Sequence, residues 1–207
     1  VLDRAGFDIT RRHDWQKDYT QVDLPRMQEG GLDGGFWVIY TAQGALTERG
    51  YAKALAHARH RNQVIDEMLR GHGPDFEFAS RAEDATRIAA TGKRVVYKSI
   101  ENAYPLGENI DLLDEFYAAG VRMVGLVHSK NNQFADSATD LKGQKWGGLS
   151  PLGRQLISRA NRLGMIVDMS HAHDDALAQA IELSATPIIL SHSGAAAPEC
   201  DLSLIHI

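Results

Sequence analysis

Short apolar runs alternate with longer amphipathic segments along most of the chain. Runs typical of strands lie at residues 35–41, 75–79, 95–101, 121–128, 165–171 and 186–192. Segments with helical spacing lie between them, at residues 47–70, 81–90, 109–120, 151–163 and 174–183. This alternation predicts repeated β-α units, with strands buried on both faces as in a parallel sheet covered by helices.

Local signals mark the ends of two of these helices. Ser150 is a candidate N-cap, and Pro151 takes the first helical position, where the missing N–H costs nothing. Gly164 stands where this helix should stop, and Gly120 does the same after the helix predicted at 109–120. Residues 131–148 are polar and contain glycine, so we expect a long loop there.

Two architectures fit this order of elements, an α/β barrel and an open doubly wound sheet. No glycine-rich phosphate loop of the GxGxxG or Walker type follows a predicted strand, which disfavours a nucleotide-binding open sheet. The α/β class is therefore predicted, with a (β/α)8 barrel of the TIM type as the favoured arrangement.

Composition narrows the function without identifying it. The 207 residues are 43% hydrophobic and carry a net charge of -5, so we expect a folded domain and no nucleic-acid partner. No apolar run reaches about 18 residues, so no transmembrane helix is predicted. Cys200 is the one cysteine, which excludes a disulfide within the chain. The compartment stays open, and so does the oligomeric state, including a homodimer.

The last six residues, LSLIHI at 202–207, match the in-frame translation of a common sequencing adapter. We interpret them as a non-native tail, so the predicted domain spans residues 1–201. His206 is accordingly left out of the search for a site.

Four consecutive predicted strands end in a residue that can bind metal or transfer protons: Glu101, His128, His171 and His192. In an α/β barrel the carboxyl ends of the strands meet on one face and form the active site. One carboxylate with imidazoles is a ligand set that suits zinc. Each residue alone would more often be a structural hydrogen-bond partner, but four in register predict a shared site.

We expect the other polar candidates to be solvated, to lie in loops or caps, or to be packed, without binding metal. They are His13, His57, His60, His72, Asp136, Asp140 and Cys200. His57 and His60 are three residues apart on the long predicted helix and could share a face, but they have no third ligand nearby. His173 follows His171 by two residues, and we expect it at the rim of the site.

Five blocks of sequence, taken in order, resemble the membrane dipeptidase (renal dipeptidase) family. They are QVDLPRMQEGGLDGGFWVIY (21–40), SIENAYPLG (99–107), GVRMVGLVHSKNNQFADS (120–137), GGLSPLGRQLISRANRLGMIVDMSH (147–171) and ATPIILSHSGA (185–195). The resemblance runs from about residue 7 to residue 197, and several long blocks in the same order are far more specific than one motif.

The resemblance implies a (β/α)8-barrel metallopeptidase that holds two zinc ions and hydrolyses dipeptides. It implies that Glu101, in SIENAY, is the carboxylate that bridges both metals. It implies that His171 and His192 complete one zinc site, and that His128 contacts the substrate and stabilises the tetrahedral intermediate.

Two parts of the family pattern are not found in this sequence. They are the His-x-Asp pair of the first strand, and the aspartate of the last strand with a substrate-binding arginine. We therefore expect an incomplete barrel that lacks its first and last strands, binds about one zinc ion at most and hydrolyses dipeptides poorly or not at all. Two alternatives stay open: another metal-dependent amidohydrolase-type barrel, and an inactive metal-binding fragment.

Overall fold

A computed structural model describes residues 2–194, so Cys200 and the tail predicted at 202–207 lie outside the described residues. The helices are α1 (Trp15–Asp18), α2 (Leu24–Glu29), α3 (Glu48–Gly71), α4 (Ala82–Ala89), α5 (Leu112–Ala118), α6 (Pro151–Leu163) and α7 (Asp174–Leu183). The strands are β1 (Gly34–Tyr40), β2 (Phe76–Phe78), β3 (Arg94–Glu101), β4 (Val121–Gly125) and β5 (Ile166–Asp168). A 3₁₀ turn, Tyr104–Leu106, follows β3.

The strands are hydrogen-bonded in the order β1-β3-β4-β5, and β2 also pairs with β3. The pairing of β2 with β3 is parallel and sets Phe76 opposite Arg94. The pairing of β4 with β5 is parallel as well and sets Gly125 opposite Asp168. Strands joined by intervening helices confirm the predicted α/β class with a parallel sheet.

The strands predicted after β3 are shorter than the apolar runs suggested. β4 ends at Gly125 and β5 ends at Asp168, so His128 and His171 each lie three residues beyond a strand. The strand predicted at 186–192 is wrong in extent, because the described residues there form only one parallel bridge, between Asp168 and Ile189. The Asp168 carboxylate accepts the backbone N–H of Ser170, which turns the chain out of the strand.

The chain divides into two compact units by its internal contacts. Of the described residues, the first unit comprises 2–39 and 59–98, and the second comprises 40–58 and 99–194. No helix of residues 2–194 is both long enough and apolar enough to cross a membrane.

In the first unit, a buried carboxylate organises the residues before β1. Asp23 caps α2 by accepting the N–H of Arg26, and it also accepts from the Arg26 guanidinium at 2.8 Å and from the His13 backbone N–H. Both nitrogens of the His13 ring are within hydrogen-bond distance of an oxygen. Nδ1 lies 2.6 Å from the Asp18 carboxylate, and Nε2 lies 2.9 Å from the Asp8 carbonyl. These partners are local in sequence, and they explain two short helices that the apolar pattern did not predict.

The pKa values of this network follow its hydrogen bonds. Burial alone would raise the pKa of Asp23, but the bonds from Arg26 and from the His13 backbone lower it to about 2. The Asp8 carbonyl first, and the Asp18 carboxylate second, raise the pKa of His13 above its usual value.

In the second unit, α6 starts where the sequence predicts it. Ser150 accepts the N–H of Gly153 at 3.0 Å and donates its hydroxyl to the Gln133 carbonyl. Gly164 ends the helix in the left-handed conformation. Gly153 lies against the loop before α6, and a Cβ there would come within 2.0 Å of the Phe134 carbonyl oxygen. Only glycine allows this close approach.

The loop between β4 and α6 is held from inside by another buried carboxylate. Asp136 is 0% exposed and accepts the backbone N–H groups of Lys145, Trp146 and Gly148. The prediction that Asp136 is a solvated loop residue is therefore wrong, because its carboxylate is buried and each of its oxygens accepts from backbone N–H groups. This bonding gives a long polar segment a defined path.

Candidate metal centre

Four side chains of the second unit meet around one carboxylate oxygen. Oε1 of Glu101 lies 3.2 Å from Nε2 of His171, 3.3 Å from Nε2 of His192 and 3.4 Å from Nε2 of His128. The Nε2 atoms of His171 and His192 are 2.7 Å apart. The structure thus brings together all four residues that the sequence placed at strand ends, although only Glu101 lies within a strand.

The backbone around this cluster is constrained. Asn102, directly after Glu101, has a φ of 70°, and His171 has a φ of 68°. Non-glycine residues adopt this left-handed region at an energetic cost, and such residues gather at functional sites. The positive φ values change the chain direction directly after Glu101 and at His171, the two residues whose side chains meet in the cluster.

The amide of Asn102 holds the turn after β3 in place. Its nitrogen donates to the Thr41 carbonyl at 3.0 Å, and its oxygen accepts from the Asn132 amide and from the Tyr104 backbone N–H. Asn132 also donates to the Leu126 carbonyl at 2.7 Å. Because Asn102 is fully buried, these bonds tie the ends of three chain segments together beneath Glu101.

A second polar chain supports His192 from behind. Its Nδ1 lies 2.7 Å from the Ser191 hydroxyl, which in turn donates to the carboxylate of Asp168. The backbone N–H of His192 donates to the Ser170 hydroxyl at 3.1 Å. Sequence reasoning missed Asp168 and Ser191. The available signal was an acidic residue inside an otherwise apolar strand, three residues before His171.

The electrostatics of the cluster favour a charged carboxylate. Burial alone would raise the pKa of Glu101, but the hydrogen bond with His171 and the charges of His192 and His128 bring it below its usual value. The Tyr40 ring lies 5.0 Å from the His128 ring, centroid to centroid. Burial, and then the Glu101 charge, raise the pKa of the Tyr40 phenol.

The donor set fits a zinc ion. One ligand atom from each of Glu101, His171 and His192 lies within 4.8 Å of the other two. Ligand atoms at zinc distances of about 2.0–2.1 Å are about 3.3 Å apart in a tetrahedron. The two separations from Glu101, 3.2 and 3.3 Å, are close to that value, and the imidazole pair at 2.7 Å needs only a small opening. Three protein ligands leave a fourth position for solvent, as in catalytic zinc sites.

The remaining candidates play other parts. Among residues 2–194, Glu101, His171 and His192 form the one group of three or more side chains placed to share a metal, so His13, His57, His60 and His72 belong to no such group. His57 and His60 are exposed on α3, as expected. His173 caps α7 by accepting the N–H of Asp175, and its ring contacts Gln144. Asp140 caps its loop through the N–H groups of Asn131 and Lys142.

The chain is similar to known dipeptidases in sequence. The sequence model of the membrane dipeptidase family, peptidase family M19, matches residues 4–201. Dipeptidase tcpJ of Claviceps purpurea is 34% identical over 195 residues, which cover 91% of this chain and 45% of that protein. This chain therefore spans about half the length of such relatives.

Solved structures give the same picture. The probable dipeptidase PvdM of Pseudomonas aeruginosa superposes with a TM-score of 0.85 at 33% identity, over 93% of this chain and 50% of that one. A metallopeptidase of Rhodobacter sphaeroides, bound to a phosphinate mimic of the dipeptide L-Ala-D-Ala, superposes with a TM-score of 0.73 at 25% identity, over 83% and 56%. These matches confirm the predicted barrel-type α/β fold, of which this chain represents a part.

Proposed function

We propose, because the chain belongs to the membrane dipeptidase family (peptidase family M19), that its cluster of one carboxylate and three imidazoles serves the zinc-dependent hydrolysis of dipeptides. The observation that carries the proposal is the convergence of Glu101, His171 and His192, whose ligand atoms all lie within 4.8 Å of one another. These three residues would hold one zinc ion. We expect one ion per chain, since residues 2–194 contain one such group.

Each side chain has a distinct task in this proposal. Zinc, when bound, supplies a Lewis acid that makes water a strong nucleophile near neutral pH. Glu101 provides the negative charge of the ligand set, since a glutamate carboxyl is ionised at neutral pH. His171 and His192 would each present a neutral Nε2 lone pair on the same side of that carboxylate, since their Nε2 atoms lie 2.7 Å apart.

His128 is assigned a role toward the substrate. In the reaction the oxygen of water adds to the carbonyl carbon of the peptide bond, the C–N bond then breaks, and a proton of that water ends on the new amine. Negative charge develops on the carbonyl oxygen during the addition. His128 lies at the edge of the cluster, beside Tyr40, where its ring N–H can donate a hydrogen bond to this oxygen.

The choice of dipeptides as substrates draws on the relatives. The Rhodobacter protein binds a phosphinate mimic of a dipeptide, and a phosphinate is tetrahedral like the hydrated peptide carbonyl. A site that can both bind zinc and donate to an oxyanion suits such a group.

The metal part of the proposal is tested by titrating the purified chain with zinc against a chromophoric chelator. We expect about one equivalent of tightly bound zinc in the chain and none in the Glu101→Gln variant, because glutamine keeps the size but loses the charge. His57→Gln is the matched control, since that histidine is exposed on α3. Equal zinc binding by the chain and by Glu101→Gln would contradict the assignment.

The activity part is tested with a chimera in which this chain replaces the matched half of PvdM. We expect the chimera to hydrolyse dipeptides and the Glu101→Gln chimera to lose at least about 100-fold in kcat/KM. His128→Ala should keep its zinc and lose turnover. A folded, zinc-loaded chimera that cleaves lactones or cyclic amides and leaves dipeptides intact would instead favour another amidohydrolase-type activity.

A further inference from the structure

We infer that Asp168 is a positioning residue that acts through Ser191 to fix the ring of His192 in the protonation form that can bind metal. The inference rests on the proposed function, because it assigns His192 as a ligand, and it adds two residues to the site. It depends on a line of contacts from the buried Asp168 carboxylate through the Ser191 hydroxyl to the His192 ring, whose Nε2 faces Glu101.

The first contact fixes the direction of the Ser191 hydroxyl. Asp168 is 4% exposed, and its Oδ1 accepts the backbone N–H groups of Ser170 and Ser191 at 3.0 and 3.1 Å. Its Oδ2 faces the Ser191 hydroxyl oxygen. An ionised carboxylate has no proton to give, so the hydroxyl must be the donor in this pair.

The second contact fixes the tautomer of His192. A serine hydroxyl has one proton, and Ser191 gives that proton to Asp168. Toward His192 Nδ1, 2.7 Å away, the Ser191 oxygen can therefore only accept. The neutral ring must carry its proton on Nδ1, which leaves the lone pair on Nε2, directed at Glu101 and His171. This is the form that a zinc ligand requires.

The third observation explains why His192 needs this support. As far as the structure describes it, the segment that carries His192 joins the sheet through one bridge, in which Ile189 exchanges hydrogen bonds with Val167 and Met169. The His192 side chain is 40% exposed, whereas that of His171 is 9% exposed. Packing therefore confines His171 far more than His192, and the contact of Ser191 with Nδ1 must orient the His192 ring.

A purely structural role for Asp168, as a cap of the turn after β5, predicts different behaviour from a positioning role. Asp168→Asn is close to isosteric and keeps an oxygen for the two backbone N–H groups. Its amide NH₂ would then donate to the Ser191 oxygen and release the hydroxyl proton toward His192 Nδ1. The ring would be driven to the other tautomer, with the proton on Nε2, while the turn stays capped.

The experiment combines two readouts on the whole chain. The tautomer of His192 is read by ¹⁵N NMR of the metal-free protein, and zinc affinity is read by competition with a chelator. We expect Asp168→Asn to shift His192 from the Nδ1–H to the Nε2–H form and to weaken zinc binding by about 10–100-fold. Ser191→Ala should weaken zinc binding in the same range, and Ser191→Thr, which keeps a hydroxyl, should restore it.

Asp136→Asn is the matched control, because Asp136 is also buried in the second unit but accepts only backbone N–H groups. It should lower stability and leave the His192 tautomer unchanged. Unchanged zinc affinity in folded Asp168→Asn or Ser191→Ala would overturn the inference, and so would an Nε2–H ring in the unsubstituted chain. If Asp168→Asn does not fold, the Ser191 pair decides. Because the NMR readout needs no metal, a failure of zinc binding itself would count against the proposed function alone.

Discussion

Two polar networks of this chain are built from the same residue types and are arranged in opposite ways. Around Asp23, in the first unit, the carboxylate oxygens accept from backbone N–H groups and from the Arg26 guanidinium, and both nitrogens of His13 lie against oxygens. Around Glu101, in the second unit, three imidazoles crowd one carboxylate oxygen, and two Nε2 atoms lie 2.7 Å apart. In the first network each ring nitrogen of His13 has its own oxygen partner, whereas the second brings three ring nitrogens and a carboxylate oxygen to one point.

This difference teaches how to separate a structural histidine from a ligand. A histidine whose two ring nitrogens both contact oxygens of nearby residues stabilises its own segment. A histidine that aims one nitrogen at other ligand atoms and is held from behind through the other is arranged for something that sits between them. His13 is of the first kind, and His192 is of the second.

The largest expected effect follows from removing a histidine of the Glu101 cluster, where the two networks differ most. His171→Ala should weaken zinc binding by more than about 100-fold, because it removes a proposed ligand rather than a residue that supports one. His13→Ala, the same change in the other network, should leave zinc affinity unchanged. Both variants are compared by chelator competition, with circular dichroism as the check on folding. Equal losses in the two variants would show that the two networks do not differ as described.

A substitution near neither set of polar groups should destabilise the second unit strongly. Gly153→Ala would put a methyl group within 2.0 Å of the Phe134 carbonyl oxygen, which is backbone and cannot move aside cheaply. We expect a loss of about 3 kcal/mol in the free energy of unfolding, at the upper end for overpacked sites. Chemical denaturation measures it. Gly143→Ala is the control for a glycine with positive φ and open space around it, and its smaller loss should reflect strain alone.

The Asp23 network should give a moderate effect on stability and none on the metal. Asp23→Asn removes a carboxylate that caps α2 and pairs with Arg26, so we expect a loss of about 2 kcal/mol at neutral pH. The folded pKa of Asp23, about 2, lies below its ordinary value of 3.8, so this stabilisation is present above pH 4 and is lost as the pH falls toward 2. Denaturation curves of both proteins should therefore approach each other in acid. A constant difference across this range would contradict the pKa assignment.

The smallest effect concerns His13, whose contribution to stability changes with pH in the opposite direction to that of Asp23. The pKa of His13 is raised in the folded chain, mainly by the Asp8 carbonyl and the Asp18 carboxylate. Its contribution is therefore complete below pH 6.5 and is lost as the pH rises through the folded pKa. Amide hydrogen exchange near α1 and α2 should become slightly less protected over that range, after correction for the intrinsic rate. His13→Gln should remove this change, and its persistence in that variant would contradict the role of His13.

The sequence predicts best where a local rule decides the structure. The start of α6 at Ser150 and Pro151 and its end at Gly164 were predicted, because capping depends on neighbours a few residues away. The bounds of α7 were predicted as well. The meeting of Glu101 with three histidines followed from the parallel order of the strands, which sends their carboxyl ends to one edge.

The errors arise where long-range contacts decide. The apolar run at 186–192 has the composition of a strand, yet one bridge to Asp168 is all that the described residues form there. Asp136 looked like a loop residue because its three backbone donors lie about ten residues further along and meet it only after the loop closes. Asp168 was missed for the same reason, since Ser191 is 23 residues away.

The closed loop between β4 and α6 also gives the protein an optical property. The Trp146 indole N–H donates to the Asn132 carbonyl, and the Lys145 ammonium lies 4.3 Å from the centre of the ring. A fixed cation and a fixed dipole beside an indole shift its emission relative to free indole in water. Trp15 is 53% exposed and Trp37 packs edge-on against Phe76, so both lie in other surroundings. The fluorescence of Trp146 is therefore an intrinsic reporter of whether this loop is in place.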